Sequence, residues 1–326
     1  LSDGVVEAKQ ERVMSTGRSH AVAIADGIHA IDLGFLDRPG SVAAYLVEGP
    51  HGLALIETGP STVRENLEAG IRDAGYGMED VSHVIVTHIH LDHAGGVGGL
   101  ARAYPHLRVW VHPVGAPHLI DTSKLVNSAA RIYGDDMGRL WGNVEDVPED
   151  QVVVVEDRVA IDVGGRKLVP YFTPGHASHH LALLDEQTRS LFSGDVGGVR
   201  MQGTGVPIPP MPPPDIDIHA WRTSIDLMIG IEPERLLLSH FGAFTDIETH
   251  LATLWENIDR MIETGRSVLI PDGSDDALTV ELEAWVRGTL GNDADRVWPA
   301  FDAANPMFMT SLGIHRVLRK AGELET

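Results

Sequence analysis

Within six positions the chain carries four side chains able to ligate a metal, His88, His90, Asp92 and His93, directly after the apolar stretch Val84-Ile85-Val86. Imidazole and carboxylate both bind first-row divalent metals, and crowding them at a strand end without a cation between them brings no structural gain. Alternate side chains of an extended segment share a face, so His88, His90 and Asp92 project to one side. A turn beginning near Asp92 can then bring His93 round to them. One loop thus offers donors for two ions. The sequence contains no cysteine, which excludes thiolate ligands and disulfides, so every ligand must be a histidine or a carboxylate.

The run Thr87 to Gly96 resembles the His-X-His-X-Asp-His signature of the metallo-β-lactamase-fold superfamily, in the manner of its lactonase, glyoxalase-II and phosphodiesterase members. Three further landmarks resemble that family in the same order: Thr173-Pro174-Gly175-His176, Phe192-Ser193-Gly194-Asp195 and Leu238-Ser239-His240. The resemblance runs to about residue 244. It implies that His88, His90 and His176 hold one divalent ion, that Asp92, His93 and His240 hold a second, and that Asp195 bridges them. Zinc is the expected metal, with manganese and iron as alternatives. In such a pair, with ions about 3.5–4 Å apart, water between the cations ionises near neutral pH and the substrate oxygen is polarised. Asp92 and Asp195 are the candidate catalytic carboxylates, since they reduce the net charge of the centre while leaving its hydroxide nucleophilic. The family usually has an aspartate where this chain has Glu57. The resemblance makes Glu57 a carboxylate that orients a ligand histidine, with altered geometry because of its extra methylene.

Composition fits an enzyme with a substantial core: 326 residues, 43% hydrophobic and 22% charged. A formal net charge of −22 repels phosphate backbones. Arg316, Arg319 and Lys320 form too small a basic cluster for a nucleic-acid footprint, so the expected partner is a small-molecule substrate. No apolar run reaches the length of a membrane span, and Leu1-Ser2-Asp3-Gly4 lacks the features of a signal peptide. A cytoplasmic location is the expectation, for a chain whose start at Leu leaves room for trimming.

The elements that must position these residues follow from hydrophobic period. Strand patterns recur near 20–32, 41–48, 52–57, 83–87, 108–112, 151–155, 158–163, 167–173, 180–184, 190–193 and 235–239. Helical patterns cover 61–75, 96–104, much of 114–142, 217–230, 246–264 and 276–290. The ligands fall at strand ends, which fits an α/β protein of the αββα sandwich type: two mostly antiparallel sheets, helices outside and the metal site at one rim. Residues 1–244 would form the catalytic domain, and 245–326 a helical C-terminal extension packed on it. That extension could cover the sandwich, wall the pocket or form a homodimer interface, with Phe301, Met307, Phe308, Met309 and Leu312 as an apolar segment awaiting a partner.

Two regions are expected to shape the pocket. Val196 to Pro214, rich in glycine and proline, reads as a long structureless but stiff wall beside Asp195. Segment 114–142, with Tyr133, Met137, Leu140 and Trp141, could lay an apolar surface over the metals. His179 and His180 lie close enough to His176 to assist substrate binding or proton transfer, or to play a structural part. Arg200 reads as an exposed arginine, with binding of an anionic substrate group as its functional alternative. His112 and the other histidines, His219 and His250 among them, carry no ligand spacing. The leading expectation is a dinuclear metal-dependent hydrolase of a small ester, lactone or thioester. The alternatives are a metal-dependent phosphodiesterase, disfavoured by the missing basic patch, and an iron-dependent sulfur or oxygen redox enzyme.

Overall fold

The computed structural model describes residues 20–271 and 273–324; the first nineteen positions of the expected catalytic region lie outside it. Seven strands form one sheet in sequence order: β1 (Ala21–Ala25), β2 (Ile28–Asp32), β3 (Ala43–Gly49), β4 (Gly52–Ile56), β5 (Val81–Ile85), β6 (Arg108–Val111) and β7 (Val152–Val154). Six strands form the other: β8 (Ile161–Val163), β9 (Arg166–Phe172), β10 (Leu181–Asp185), β11 (Ser190–Phe192), β12 (Arg235–Leu238) and β13 (Gly242–Phe244), in the order β13-β12-β11-β10-β9-β8.

The second sheet is antiparallel apart from β11 and β12. The first is evenly mixed, antiparallel from β1 to β4 and parallel from β4 to β7, which corrects the expectation of two mostly antiparallel sheets. Parallel pairing requires crossovers. These are α1 (Arg64–Asp73), then α2 (Leu91–Ala94) and α3 (Val97–Ala103), then α4 (Ala116–Ile120), α5 (Ser123–Tyr133) and α6 (Met137–Leu140), with α7 (Ile218–Gly230) linking β11 to β12. Parallel order brings the C-terminal ends of β4, β5 and β6 to one rim, where the ligand loop begins. The segment expected as one strand over 20–32 is a hairpin, because Asp26-Gly27 turns with Gly27 at φ +63°.

The inner strands are apolar on both faces because each faces two cores. In β3, Ala43, Tyr45 and Val47 point between the sheets, while Ala44 and Leu46 point at the outer helices. In β10, Leu181 and Leu183 face inward, and Ala182 and Leu184 face the helices on the other side. Tyr45 also donates its hydroxyl to the Leu238 carbonyl at 2.6 Å, tying the sheets together two residues before His240. The C-terminal helices α8 (Ile247–Leu269), α9 (Asp275–Leu290), α10 (Ala294–Ala304) and α11 (Met307–Lys320) share one apolar core with the outer face of the second sheet. Phe301, Met307 and Met309 are buried in the chain's own packing, whereas Phe308 is exposed. No described helix is long and apolar enough to cross a membrane.

Candidate metal centre

Two trios of donors meet at the rim. In the first, His88 Nε2 and His176 Nε2 each lie 2.9 Å from His90 Nδ1. In the second, His93 Nε2 and His240 Nε2 lie 3.5 and 3.3 Å from Asp92 Oδ2. Within each trio the donor atoms are all within 4.8 Å of one another, a spacing that could hold an ion. Asp195 stands between them: Oδ1 is 3.2 Å from His93 Nε2 and 3.4 Å from His240 Nε2, while Oδ2 is 3.5 Å from His176 Nε2. Local backbone makes these approaches feasible. Gly194 takes φ +48°, and a Cβ there would lie 2.4 Å from His180 Nε2. At Gly175 a Cβ would lie 2.4 Å from Trp221.

The tautomers are set from behind. His88 Nδ1–H donates to Thr87 Oγ1 at 3.0 Å, and the Thr87 hydroxyl in turn donates to Glu57. His93 Nδ1–H donates to the same Glu57 carboxylate at 3.1 Å. One buried carboxylate therefore orients a ring in each trio. His176 Nδ1–H donates to the Pro210 carbonyl and His240 Nδ1–H to the Ser41 carbonyl, both at 2.9 Å. Each of these four rings thereby turns an Nε2 lone pair into the site. Glu57 is also within ligand spacing of His88 and His93, but those rings meet it or Thr87 through Nδ1. Its backbone sits at φ +66°, a left-handed conformation costing a non-glycine residue about 1–3 kcal/mol.

The charge pattern differs between the trios. Burial, and then the neighbouring imidazoles, hold His88 and His90 well below the ordinary histidine range; burial lowers His176 as well. Burial also opposes charge on His93 and His240, but the surrounding carboxylates, Asp195 foremost, outweigh it and raise both. Asp92 is held at about 2 and Asp195 well below the carboxylate range, because His93 and His240 outweigh the burial that disfavours their charge. His93 Nε2, His240 Nε2 and Asp195 Oδ1 are buried without a hydrogen-bond partner. The carboxylates thus call for positive charge at these atoms, a proton on His93 and His240 in the free protein or a metal cation in its place, so the residues fit divalent metal ions.

The other candidates separate. His180 is a positioning residue: its Nδ1 pairs with Thr173 Oγ1 at 2.8 Å and its Nε2 accepts the Asp195 amide at 3.2 Å. His179 lines the cleft above the site, stacked 6.1 Å from His88, and burial lowers it to about 4. Arg200 corrects both readings given to it. It is neither exposed nor in the cleft; it is buried, ion-paired with Asp246 at 2.9 Å, hydrogen-bonded to His250 and placed 4.2 Å over the Phe244 ring. An arginine amid an acidic fold is drawn to the nearest carboxylate, here one opening the C-terminal helices. His219 is exposed, and His112, packed 4.1 Å from Phe172, accepts the Val114 amide.

A cleft of about 1060 Å³ opens over His90, Asp92, His179 and Asp195. Tyr133, Leu140 and Trp141 form one side and Pro210, Pro212, Pro213 and Pro214 another, while Phe308 and Met309 come from α11. The Val196–Pro214 stretch is more ordered than expected. It begins in a 3-10 turn, Gly194–Gly197, and is pinned by a bridge between Val199 and Ile208. Thr87 escaped notice although it stands first in the ligand run. Ser41 and Pro210 act through backbone carbonyls, which no residue type signals.

The family model described as the metallo-beta-lactamase superfamily matches residues 37–240. The metallo-beta-lactamase fold-containing protein ST1585 of Sulfurisphaera tokodaii is 28% identical over 231 residues, 69% of this chain and 83% of that protein. Its solved structure aligns with a TM-score of 0.59 at 27% identity, covering 73% of this chain and 87% of that one. An atrochrysone carboxyl ACP thioesterase of Aspergillus fumigatus is 31% identical over 43% of this chain and 35% of its own. The human acyl-coenzyme A thioesterase MBLAC2 is 26% identical over 53% of this chain and 64% of its own. The chain thus spans less than two thirds of either thioesterase.

Proposed function

The chain belongs to the metallo-β-lactamase superfamily, and within it we propose a dinuclear metal-dependent hydrolase of thioesters. His88, His90 and His176 hold one ion, Asp92, His93 and His240 the other, and Asp195 lies between. The observation that carries this reading is the convergence of the two trios on Asp195, with His93 Nε2, His240 Nε2 and Asp195 Oδ1 buried and without a hydrogen-bond partner. Nitrogen and oxygen ligands of this kind suit zinc, with manganese or iron as substitutes. When bound, such metals would lower the pKa of a coordinated water and polarise a carbonyl oxygen.

The protein's own part is preorganisation. Glu57 fixes one ring of each trio, His180 fixes the Asp195 backbone, and the ionised Asp92 and Asp195 limit the charge of the centre. Tyr133, Leu140, Trp141 and the proline wall give the acyl group an apolar surface to lie against. In the net reaction a water oxygen adds to the acyl carbon and the C–S bond breaks with its electron pair on sulfur. The sulfur leaves as a thiolate and takes up one proton of the water while the other is released to solvent, giving a carboxylate, a free thiol and a proton.

Two observations favour the thioester over a compact ester or lactone: the names of two relatives, and a cleft of about 1060 Å³, at the upper end of small-molecule sites. The test follows thiol release from an acyl thioester, with a lactone and a phosphodiester in parallel, before and after chelation and on readdition of zinc, manganese or iron. Metal-dependent turnover of the thioester above the others supports the reading. Turnover of the phosphodiester alone, or thioester turnover indifferent to chelation, contradicts it.

A further inference from the structure

Some arginines on this acidic surface are matched to carboxylates, as Arg64 is to Glu68, Arg222 to Asp226 and Arg296 to Asp293, and others, Arg38, Arg72 and Arg131 among them, stand singly without an ion pair among the described residues. The end of α11 gathers three such cations. Arg316, Arg319 and Lys320 are exposed, and among the described residues none lies in an ion pair; Arg316 and Lys320 meet only the Pro214 carbonyl, at 2.9 and 3.0 Å. At i, i+3 and i+4 they share one helix face, where like charges repel. The helix dipole favours cations at this end, but it does not relieve that mutual repulsion. An anion would. The three cations line a groove of about 610 Å³ with His315, and the carboxylate in that groove, Asp275, is paired with His315 at 2.7 Å.

The groove adjoins the cleft, for Pro213 lines both. The Pro210 carbonyl holds the ligand His176, and the Pro214 carbonyl holds Arg316 and Lys320. Three residues separate those carbonyls, a span of at most about 14 Å. Resting on the thioesterase reading, we propose that this groove is the subsite for the phosphorylated end of a coenzyme A-type nucleotide thiol. Arg316 and Arg319 take the phosphates there, and the acyl thioester reaches along the proline wall to the metal centre.

The test compares one acyl group on coenzyme A and on N-acetylcysteamine, in the wild-type protein and in the Arg316→Ala/Arg319→Ala double variant. Free coenzyme A is titrated calorimetrically into both. The coenzyme A thioester should show a KM at least about ten-fold below that of the truncated one. In the variant that ratio should collapse towards one and binding of free coenzyme A should be lost, while the Arg→Lys pair keeps most of both. Equal KM values in the wild type, or a ratio unmoved by the substitutions, would overturn the subsite and leave the thioesterase reading standing. If neither thioester turns over, that reading fails, and the titration decides alone: binding lost in the variant keeps the subsite, and no binding to the wild type overturns it. A carrier-protein thioester with a KM below that of the coenzyme A thioester would also overturn the nucleotide assignment.

Discussion

Glu57 accepts from His93 directly and from His88 through Thr87, so its carboxylate keeps an Nε2 lone pair of each trio facing inward. A glutamine there replaces one acceptor oxygen with a donor and forces one of those rings to turn. Glu57→Gln should therefore weaken metal binding about 10–100-fold while the protein stays folded, read by titration against a competing chelator; unchanged affinity would remove Glu57 from this role. His250 gives a pH prediction. It is buried, donates from Nε2 to the Gly197 carbonyl and is lowered to about 4. The unfolded chain takes a proton near pH 6.5 that the folded protein refuses, so stability should fall as pH drops from about 6.5 to 4. His250→Gln should lessen that slope of melting temperature against pH, and an identical slope would contradict the assignment. Residue type and spacing made the candidate ligands legible in the sequence. The orienting partners were less so, because Ser41 and Pro210 act through main chain and the ion pair of Arg200 joins positions 46 residues apart.

Between elements, Arg166 of β9 acts as a clasp. It is bidentate to Asp185 of β10 at 2.8 Å and donates to the carbonyls of Asp26 and Glu48, so the second sheet grips the edge of the first. Arg166→Ala leaves Asp185 buried and unpaired and should cost about 3–5 kcal/mol in denaturant unfolding; a loss below about 1 kcal/mol would show the clasp to be slack. Burial opposes the charge of Asp185, but the hydrogen bonds from Arg166 and Thr188 outweigh it and lower its pKa. This contribution is therefore present above the ordinary carboxylate pKa and lost as pH falls through the lowered one. On α11, Phe308 is 41% exposed yet lines the cleft. Phe308→Ala should raise KM for a long acyl thioester several-fold more than for a short one, and equal effects would remove α11 from substrate recognition. Strands and long helices were legible from their period. The strand β13, Gly242-Ala243-Phe244, has no β-branched residue to mark it, and α10 and α11 were read only as generally helical, Pro299 interrupting the pattern of the former.

Across the whole molecule, three apolar clusters stack as helix layer, sheet pair and helix layer, and the C-terminal helices belong to the outermost of them. A chain ending at Phe244 would strip the apolar cluster outside the second sheet of its α8–α11 members, Leu254, Ile258, Phe301 and Ile314 among them, and leave the faces they cover exposed. Such a truncation should be insoluble or bind apolar dyes strongly; a soluble, cooperatively melting product would show that the helices are dispensable to the fold. The sandwich was legible because its ligand runs come in a recognisable order, whereas the even mixture of strand directions in the first sheet was hidden, since pairing partners lie far apart in sequence. The central proposal is that six side chains hold two ions around Asp195, and the most direct test is the metal content per chain after dialysis without added metal. The account predicts two equivalents for the wild-type protein and fewer for His93→Ala. Undiminished metal in that variant, or none in a folded wild-type protein even after reconstitution, would contradict it.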